Sequence, residues 1–413
     1  INTIKKQYHI HSKYNKKTNK YSFLSKEINL LLNNEINSLM ENVLIQDRED
    51  LEVIKETKNK INNNYFKNEW DKIKKFTNPF EFIYCIPKRN EEYKTISITT
   101  IDPLSRSFFK MIEMSNIFLK ELILDKKSHN TLHLAEGPGG FIEAIANIRK
   151  NKDDKYTGMT LLSTDNNIPG WKKSNDILRK NPNISIEIGD TEDGNILKPE
   201  NYIFCQNKYG NSMNVITADG GFDFSIDFNM QEAMSSKLIL AEALYAITLQ
   251  KRSGHFILKI FDNFTKFTCE LIYLLSMFYE KIYIVKPNTS RYANSERYIV
   301  CKNFKYHDTS SLTETLKCIL EKISQYDYIN HIFRFELPYI FTTRIEEINA
   351  IIGQQQIECI VNTLNLINHK NKNDKLEQLK NNHVYKSTNW CMKYKQPYYK
   401  TIQQTNIFLS ANN

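Results

Sequence analysis

Two charged residues occur in apolar stretches of the sequence, where a chemical role would explain them. Lys259 interrupts the apolar run HFILKIF, and Asp219 ends the apolar run NVITA. An ammonium group inside an apolar strand is costly unless it faces a cleft and finds a partner. A lysine amine in a cleft can accept a proton from a weak nucleophile, provided that burial and a second cation lower its pKa by roughly 3 units from about 10.4. The sequence therefore predicts a general base at Lys259.

Glu296 and Lys110 complete this set of charged residues. Glu296 starts the next strand in SRYANSERYIV, and the expected sheet order places it near Lys259. Lys110 lies on the amphipathic helix LSRSFFKMIEMSNIFLKEL, where it can serve as the second cation. Each residue alone is better explained by a structural ion pair or a snorkelling lysine. Together with Asp219, and grouped at strand ends around a glycine-rich turn, they favour a catalytic site.

The glycine-rich turn lies in LHLAEGPGGFIEAI, between an apolar strand and a helix. Glycines let the backbone turn tightly near a ligand, and the start of the helix presents free N–H groups. The G-P-G-G spacing does not match G-x-G-x-x-G, which disfavours a nicotinamide-dependent dehydrogenase. An ordinary tight turn is the alternative. The expected cofactor-binding residues are Glu136, Gly137, Pro138, Gly139, Gly140, Phe141, Asp165, Asp190 and Asp219.

Two of these acids have specific expected partners in a nucleotide-like cofactor. Asp190 follows the third strand of the sheet, where its carboxylate can accept a hydrogen bond from an adenine amine. Asp165 lies in the loop after the second strand and either reaches ribose hydroxyls or is a turn residue.

The elements that must position these residues alternate between strand and helix patterns from residue 131 to 301. Strands are predicted at 131–135, around YTGMTLL, and at 184–188, 214–218, 255–261, 281–285 and 297–301, with helices at 141–150, about 230–251 and 265–279. The last two strands are joined by a loop too short for a crossover helix, so they pair antiparallel. The fold class is therefore α/β: a Rossmann-like, doubly wound, mostly parallel seven-stranded sheet with an antiparallel last strand.

Composition excludes several other classes of protein. The chain has 413 residues, 41% of them apolar, enough to bury a sizeable core. No apolar run reaches the roughly 20 residues of a membrane span, and the basic N-terminus lacks a secretory core. The seven cysteines form no C-x-x-C pair, which predicts reduced thiols and no metal site.

The net charge of +9 is concentrated in the flanks of the chain. Lys and Arg minus Asp and Glu gives 17 − 11 for residues 1–90, 25 − 26 for 91–300 and 14 − 10 for 301–413. Seven lysines precede the first acid, Glu27, so the N-terminus is either a polyanion-binding arm or a solvated tail. We predict a basic, mainly helical segment at 1–95, a catalytic domain at 96–304 and a mainly helical lobe at 305–413.

The charged residues and their motifs resemble one known family. The order Lys110, Asp219, Lys259, Glu296, with AEGPGGF, TADGGFD, GHFILKIF and KPNTSRYANSERYIV, is similar to that of the FtsJ-like ribose 2'-O-methyltransferases, over roughly residues 100–304. DPLSRSFFKMIEM and GMTLLSTDNNIPGWKK resemble the cap-specific branch found in viruses and eukaryotes. The richness in Asn and Lys also suits an AT-rich viral genome.

This resemblance implies an S-adenosyl-L-methionine-dependent enzyme that methylates the 2'-hydroxyl of a cap-proximal nucleotide of mRNA. Arg106, Ser290 and Arg291 are expected to bind the RNA. The expected partners are capped mRNA and other capping or transcription proteins, without membrane or metal. The expected location is intracellular: the cytoplasm, a virion or viral factory for a viral protein, or the nucleus.

Two other functions stay open for the same residues. An rRNA or tRNA ribose methyltransferase would use the same chemistry on another RNA. A catalytically inactive RNA-binding subunit of a capping complex is disfavoured by the complete set of four charged residues, and turnover distinguishes it from an enzyme.

Overall fold

The computed structural model describes residues 8–10, 49–62, 64–85, 97–163, 165, 170–221, 228–369 and 372–399. Their central element is one mixed sheet with the strand order β1-β7-β8-β6-β5-β2-β3-β4. The strands are β1 Tyr8–Ile10, β2 Asn130–Leu134, β3 Lys155–Met159, β4 Ile184–Ile186, β5 Met213–Ala218, β6 Gln250–Phe261, β7 Tyr279–Val285 and β8 Glu296–Phe304.

The sheet confirms the predicted fold class. Strands β2 to β6 pair in parallel, whereas β8 lies antiparallel between β6 and β7. These are the seven predicted strands. The short strand β1, which the sequence pattern did not predict, adds an antiparallel edge beside β7.

Helices cover both faces of the sheet and continue into the flanks of the chain. The α-helices are Glu49–Asn59, Asn64–Ile73, Ser107–Phe118, Lys120–Leu124, Gly140–Arg149, Asn175–Lys180, Pro199–Tyr209, Gln231–Leu249, Lys266–Phe278, Thr313–Ile323, Tyr339–Asn368 and Lys372–Lys393. Gln231–Leu249 and Lys266–Phe278 pack on one face, and Ser107–Phe118 and Gly140–Arg149 pack on the other.

The alternation of side chains along the strands decides which residues meet the helix that carries Lys110. On β6, Phe256 and Leu258 join the core under helix Gln231–Leu249, whereas Ile257 joins the opposite core. Since successive side chains of a strand point to opposite faces, Lys259 shares the face of Ile257. Helix Ser107–Phe118 covers that same face.

The flanking segments pack directly against the central domain. Ile73, Phe82 and Trp390 share one apolar core with Phe108 and Phe109 of helix Ser107–Phe118. The described flanks are mainly helical, and the proposed domain boundaries stay a prediction. The basic arm at residues 1–26 lies outside the described residues, apart from strand β1.

The sequence also led to expectations about metal sites, membrane-spanning helices and the state of the cysteines. Within the described ranges, no group of three His, Cys, Asp or Glu side chains is placed to hold a metal ion. In that same part of the chain, no helix is long and apolar enough to cross a membrane. All seven cysteines are free thiols.

Candidate active site

Lys259 and Asp219 meet where β5 and β6 end side by side. The Lys259 Nζ donates to the backbone oxygen of Asp219 at 2.8 Å and lies 3.4 Å from its Oδ1. The two side chains are 12% and 13% exposed, so they border a cleft rather than lie sealed in the core. Gly221 follows closely, and a Cβ built on it would come within 3.2 Å of the Lys259 Nζ. The absence of a side chain at Gly221 therefore keeps the lysine accessible.

Lys110 and Glu296 form the second ion pair of the site. The Lys110 Nζ donates to Glu296 Oε2 at 2.7 Å, and Ser290 Oγ donates to Glu296 Oε1 at 2.7 Å. Burial disfavours the charge of Glu296, but Lys110 and Lys259 outweigh it and lower its pKa to about 2. Glu296 is therefore a carboxylate at neutral pH, and its negative charge attracts both lysines.

Tyr298 joins the two ion pairs, and sequence reasoning missed it. Its hydroxyl donates to Asp219 Oδ1 at 2.8 Å, and Lys110 Nζ lies 3.5 Å from the same hydroxyl. Tyr298 pairs with Lys259 across the β6–β8 ladder and lies two residues after Glu296. The period of two along a strand could have identified it, because it places Tyr298 on the same face of β8 as Glu296.

The lowered pKa that Lys259 would need to act as a base is not found in this structure. Burial does lower it, but the carboxylates of Asp219 and Glu296 outweigh burial and raise the Lys259 pKa above its ordinary value. The second cation, Lys110, is neutralised by its contact with Glu296. Lys259 is thus an ammonium at neutral pH in this structure.

The glycine-rich turn brings the start of one helix against the start of another. Gly139 has φ +100°, in the left-handed region that favours glycine, directly before helix Gly140–Arg149. A Cβ on Gly140 would lie 2.2 Å from Ser107 Oγ, so only glycine permits this approach to the helix that carries Lys110. The turn is also held from outside, because Ser174 Oγ donates to the Pro138 oxygen at 2.5 Å.

The remaining residues of the predicted turn face the interior. Glu136 is buried, and one of its carboxyl oxygens accepts a hydrogen bond from Thr217 Oγ1. Its other oxygen has no hydrogen-bond partner among the described residues. Phe141 packs against Tyr298, with 6.0 Å between ring centroids, and Gly137 lies too close to Gly170 to accept a Cβ. The turn therefore contacts Tyr298, the residue that joins the two ion pairs.

The two acids expected to bind the nucleoside lie on the surface. Asp190 is exposed beyond β4, and the turn before it is held by Glu187, whose Oε1 accepts the N–H groups of Ile188 and Gly189 at 3.0 and 2.9 Å. Asp165 is also exposed, and its backbone oxygen accepts a hydrogen bond from Lys172 Nζ at 2.9 Å. The cofactor contacts of both acids stay predictions.

The two arginines expected to bind RNA converge on Glu81, a residue of the N-terminal flank. Arg106 donates to the backbone oxygens of Glu81 and Tyr84 at 2.9 and 2.7 Å, so its guanidinium is tied to the protein. Arg291 binds Glu81 with two hydrogen bonds, of 3.0 and 2.6 Å, and its side chain is 37% exposed. A phosphate contact stays a prediction for both, and Arg291 has the more accessible side chain.

Comparison with known proteins shows which family the central part of the chain resembles. Residues 103–304 match the family model of the FtsJ-like methyltransferases. This region is thus similar to the FtsJ-like methyltransferases. This match confirms the resemblance noted in the sequence and the expectation of S-adenosylmethionine as cofactor.

Several curated relatives are cap-specific mRNA (nucleoside-2'-O-)-methyltransferases 1. The chain is 34% identical to the zebrafish (Danio rerio) protein over 266 residues, which cover 58% of this chain and 30% of that protein. It is 35% identical to the human protein over 225 residues, which cover 49% of this chain and 26% of that protein. The matched region spans less than a third of these relatives.

A solved structure also aligns with part of the chain. A putative ribosomal RNA methyltransferase from Plasmodium falciparum aligns with a TM-score of 0.34 and 20% identity, over 49% of this chain and 98% of that one.

Proposed function

We propose that the chain is an S-adenosylmethionine-dependent mRNA cap-specific ribose 2'-O-methyltransferase that acts on a cap-proximal nucleotide. The observation that carries this proposal is that the ion pairs Lys259–Asp219 and Lys110–Glu296 meet through Tyr298, which packs against Phe141 of the glycine-rich turn. The identity to curated cap-specific relatives supports capped mRNA as the substrate. Capping or transcription proteins as partners, and a location in the cytoplasm or nucleus, belong to the same proposal.

The residues of the cleft fit the expected cofactor. No side chain of the described residues caps helix Gly140–Arg149, so its first N–H groups remain available to an anionic group such as the carboxylate of a methionine moiety. The buried Glu136 Oε2 lies 3.4 Å from His133 Nδ1 but makes no hydrogen bond with the described residues, so it is a candidate acceptor for the cofactor. When bound, S-adenosylmethionine supplies an electrophilic methyl group on a sulfonium sulfur. Asp219 brings a carboxylate to the same cleft, where it can offset a sulfonium charge.

The charged residues then have distinct tasks in methyl transfer. A ribose hydroxyl is a poor nucleophile, and it must lose its proton as its oxygen attacks the methyl carbon. Lys259 Nζ accepts that proton once it is a neutral amine. Asp219 orients Lys259 through the contacts at 2.8 and 3.4 Å, while Lys110 and Ser290 hold Glu296. Reactants held in line contribute the remaining acceleration.

The test is transfer of label from S-adenosylmethionine to matched capped and uncapped RNAs. We expect transfer to capped RNA, with the label on the 2'-oxygen next to the cap after nuclease digestion. Equal transfer to uncapped rRNA or tRNA would favour the alternative ribose methyltransferase. RNA binding without any transfer would favour an inactive subunit, and label on a base would overturn the ribose assignment.

Cofactor binding gives a second, independent prediction. A ligand that binds only the folded state stabilises it by about 2.7 kcal/mol at a concentration about a hundredfold above its Kd. S-adenosylmethionine and its demethylated product should therefore raise the melting temperature, and Asp190→Ala should reduce this shift. Asp176→Ala is the matched control, because Asp176 is an exposed acid that pairs with Arg179. Stabilisation by NAD in place of S-adenosylmethionine would contradict the methyltransferase proposal.

A further inference from the structure

A third lysine, Lys286, closes the loop that leads to Glu296. Lys286 directly follows β7, and Glu296 begins β8. The Lys286 Nζ donates to the backbone oxygen of Asn294 at 2.5 Å, to Asn294 Oδ1 at 2.6 Å and to the backbone oxygen of Glu296 at 2.7 Å. In its charged form Lys286 has three donors, and these contacts use all of them. Lys286 therefore ties the beginning of the loop to its end.

The oxygen atoms that accept hydrogen bonds from Lys286 lie next to Glu296 and Ser290 of the candidate site. Lys286 donates a hydrogen bond to the backbone oxygen of Glu296. The carboxylate of Glu296 accepts hydrogen bonds from Lys110 Nζ and Ser290 Oγ, each at 2.7 Å. The Asn294 Oδ1 that Lys286 binds also lies 3.4 Å from Ser290 Oγ. A displacement of Lys286 would thus move both the backbone of Glu296 and the neighbour of Ser290.

The charge of Lys286 acts on the same carboxylate. After Lys110 and Lys259, Lys286 is a further cation that lowers the Glu296 pKa. Burial lowers the pKa of Lys286 itself to about 7, while Glu296 opposes that shift. The three acceptors are uncharged amide oxygens, so hydrogen bonds and not a direct ion pair hold Lys286 in place.

We propose that Lys286 is a positioning residue for methyl transfer, which sets the place of Glu296 and through it the place of Lys110. This inference rests on the proposed function and adds a residue to its machinery. It assigns to Lys286 no contact with RNA or cofactor. A loop tie with a purely structural role would lower stability, whereas a positioning residue lowers turnover in a folded protein that still binds its ligands.

The experiment compares Lys286→Met with Lys302→Met in the full chain. Lys302 also lies on the β7–β8 ladder, but near the far end of β8 from Glu296, and it pairs with Glu121 at 2.9 Å. Because misplacement of a reacting group by about 1 Å can cost a hundredfold in rate, we expect kcat to fall by about ten- to a hundredfold in Lys286→Met. Its KM for capped RNA, its affinity for S-adenosylmethionine and its melting temperature should match those of Lys302→Met. Unchanged kcat would overturn the inference, as would a loss of RNA affinity or a general loss of stability.

A double-mutant cycle tests whether Lys286 acts through Glu296. In the Glu296→Gln background, Lys286→Met should cost much less in single-turnover rate than it does in the wild type, since both changes disturb one unit. Additive losses would contradict the proposal.

Crystal structures supply a readout that does not need activity. The Lys286→Met variant should lose the contacts of 2.7 Å that Glu296 makes with Lys110 and Ser290 in the wild type. Retention of both contacts would overturn the positioning role. An inactive wild type would instead contradict the proposed function, so the two failures are distinguishable.

Discussion

Lys259→Arg is expected to abolish methyl transfer at pH 7 while leaving the fold and S-adenosylmethionine binding nearly intact. A guanidinium stays protonated at any pH a protein tolerates, so it cannot accept the proton of the ribose hydroxyl. Loss of a general base typically costs about a hundred- to ten-thousandfold in rate. Single-turnover transfer of label to capped RNA measures this effect. Lys259→Ala should lose as much, and Lys302→Arg, which changes a lysine of a distant ion pair, should retain the wild-type rate.

The pH dependence of the wild-type activity is a second test of Lys259 as the general base. Asp219 and Glu296 raise the Lys259 pKa against the effect of burial, so only a small fraction of the amine is neutral at pH 7. Activity should therefore rise with pH by roughly tenfold per unit below that pKa. Lys110→Ala removes the cation that neutralises Glu296, which should move the rise to still higher pH. A flat profile, or wild-type activity in Lys259→Arg, would rule out Lys259 as the base.

The sheet and the four charged residues were predictable from sequence because short-range patterns specify them. Apolar runs marked β2, β5 and β6, and the short connection between β7 and β8 required an antiparallel pair, as the structure shows. The carboxyl ends of neighbouring parallel strands meet at one edge, which brought Asp219 to Lys259. The strand pattern of β6 began too late, at residue 255, because its first residues are polar and partly exposed.

What the sequence could not predict depends on distances between charges that are remote in the chain. The sign of the Lys259 pKa shift follows from the balance between burial and two carboxylates, and that balance requires the packed geometry. Glu81 reaches Arg291 across 210 positions, with no motif that links them. Lys286 was hidden for a different reason: its acceptors are mostly backbone oxygens, which have no signature in side-chain types.

Glu81→Gln is expected to destabilise the chain by about 3 to 5 kcal/mol, the usual cost of breaking a buried ion pair. Glu81 is buried and accepts hydrogen bonds from both Arg291 and Asn78, with Arg106 at 3.5 Å. Glutamine cannot neutralise the half-buried guanidinium of Arg106, which would keep its charge without an anion beside it. Denaturant unfolding of the full chain measures the difference.

The matched control and the pH dependence identify the cause of this loss. Glu347→Gln removes an exposed pair with Arg344, whose side chains are 62% and 54% exposed, and surface pairs contribute less than about 1 kcal/mol. Although burial opposes it, the two guanidiniums lower the Glu81 pKa to about 2. The contribution of Glu81 is therefore present above its unfolded pKa of about 4.3 and is lost as pH falls toward 2. Between pH about 4.3 and 2, the free energy of unfolding of the wild type should fall to that of Glu81→Gln. An advantage that persists at pH 2, or a loss no larger than that of Glu347→Gln, would show that packing rather than charge accounts for the role of Glu81.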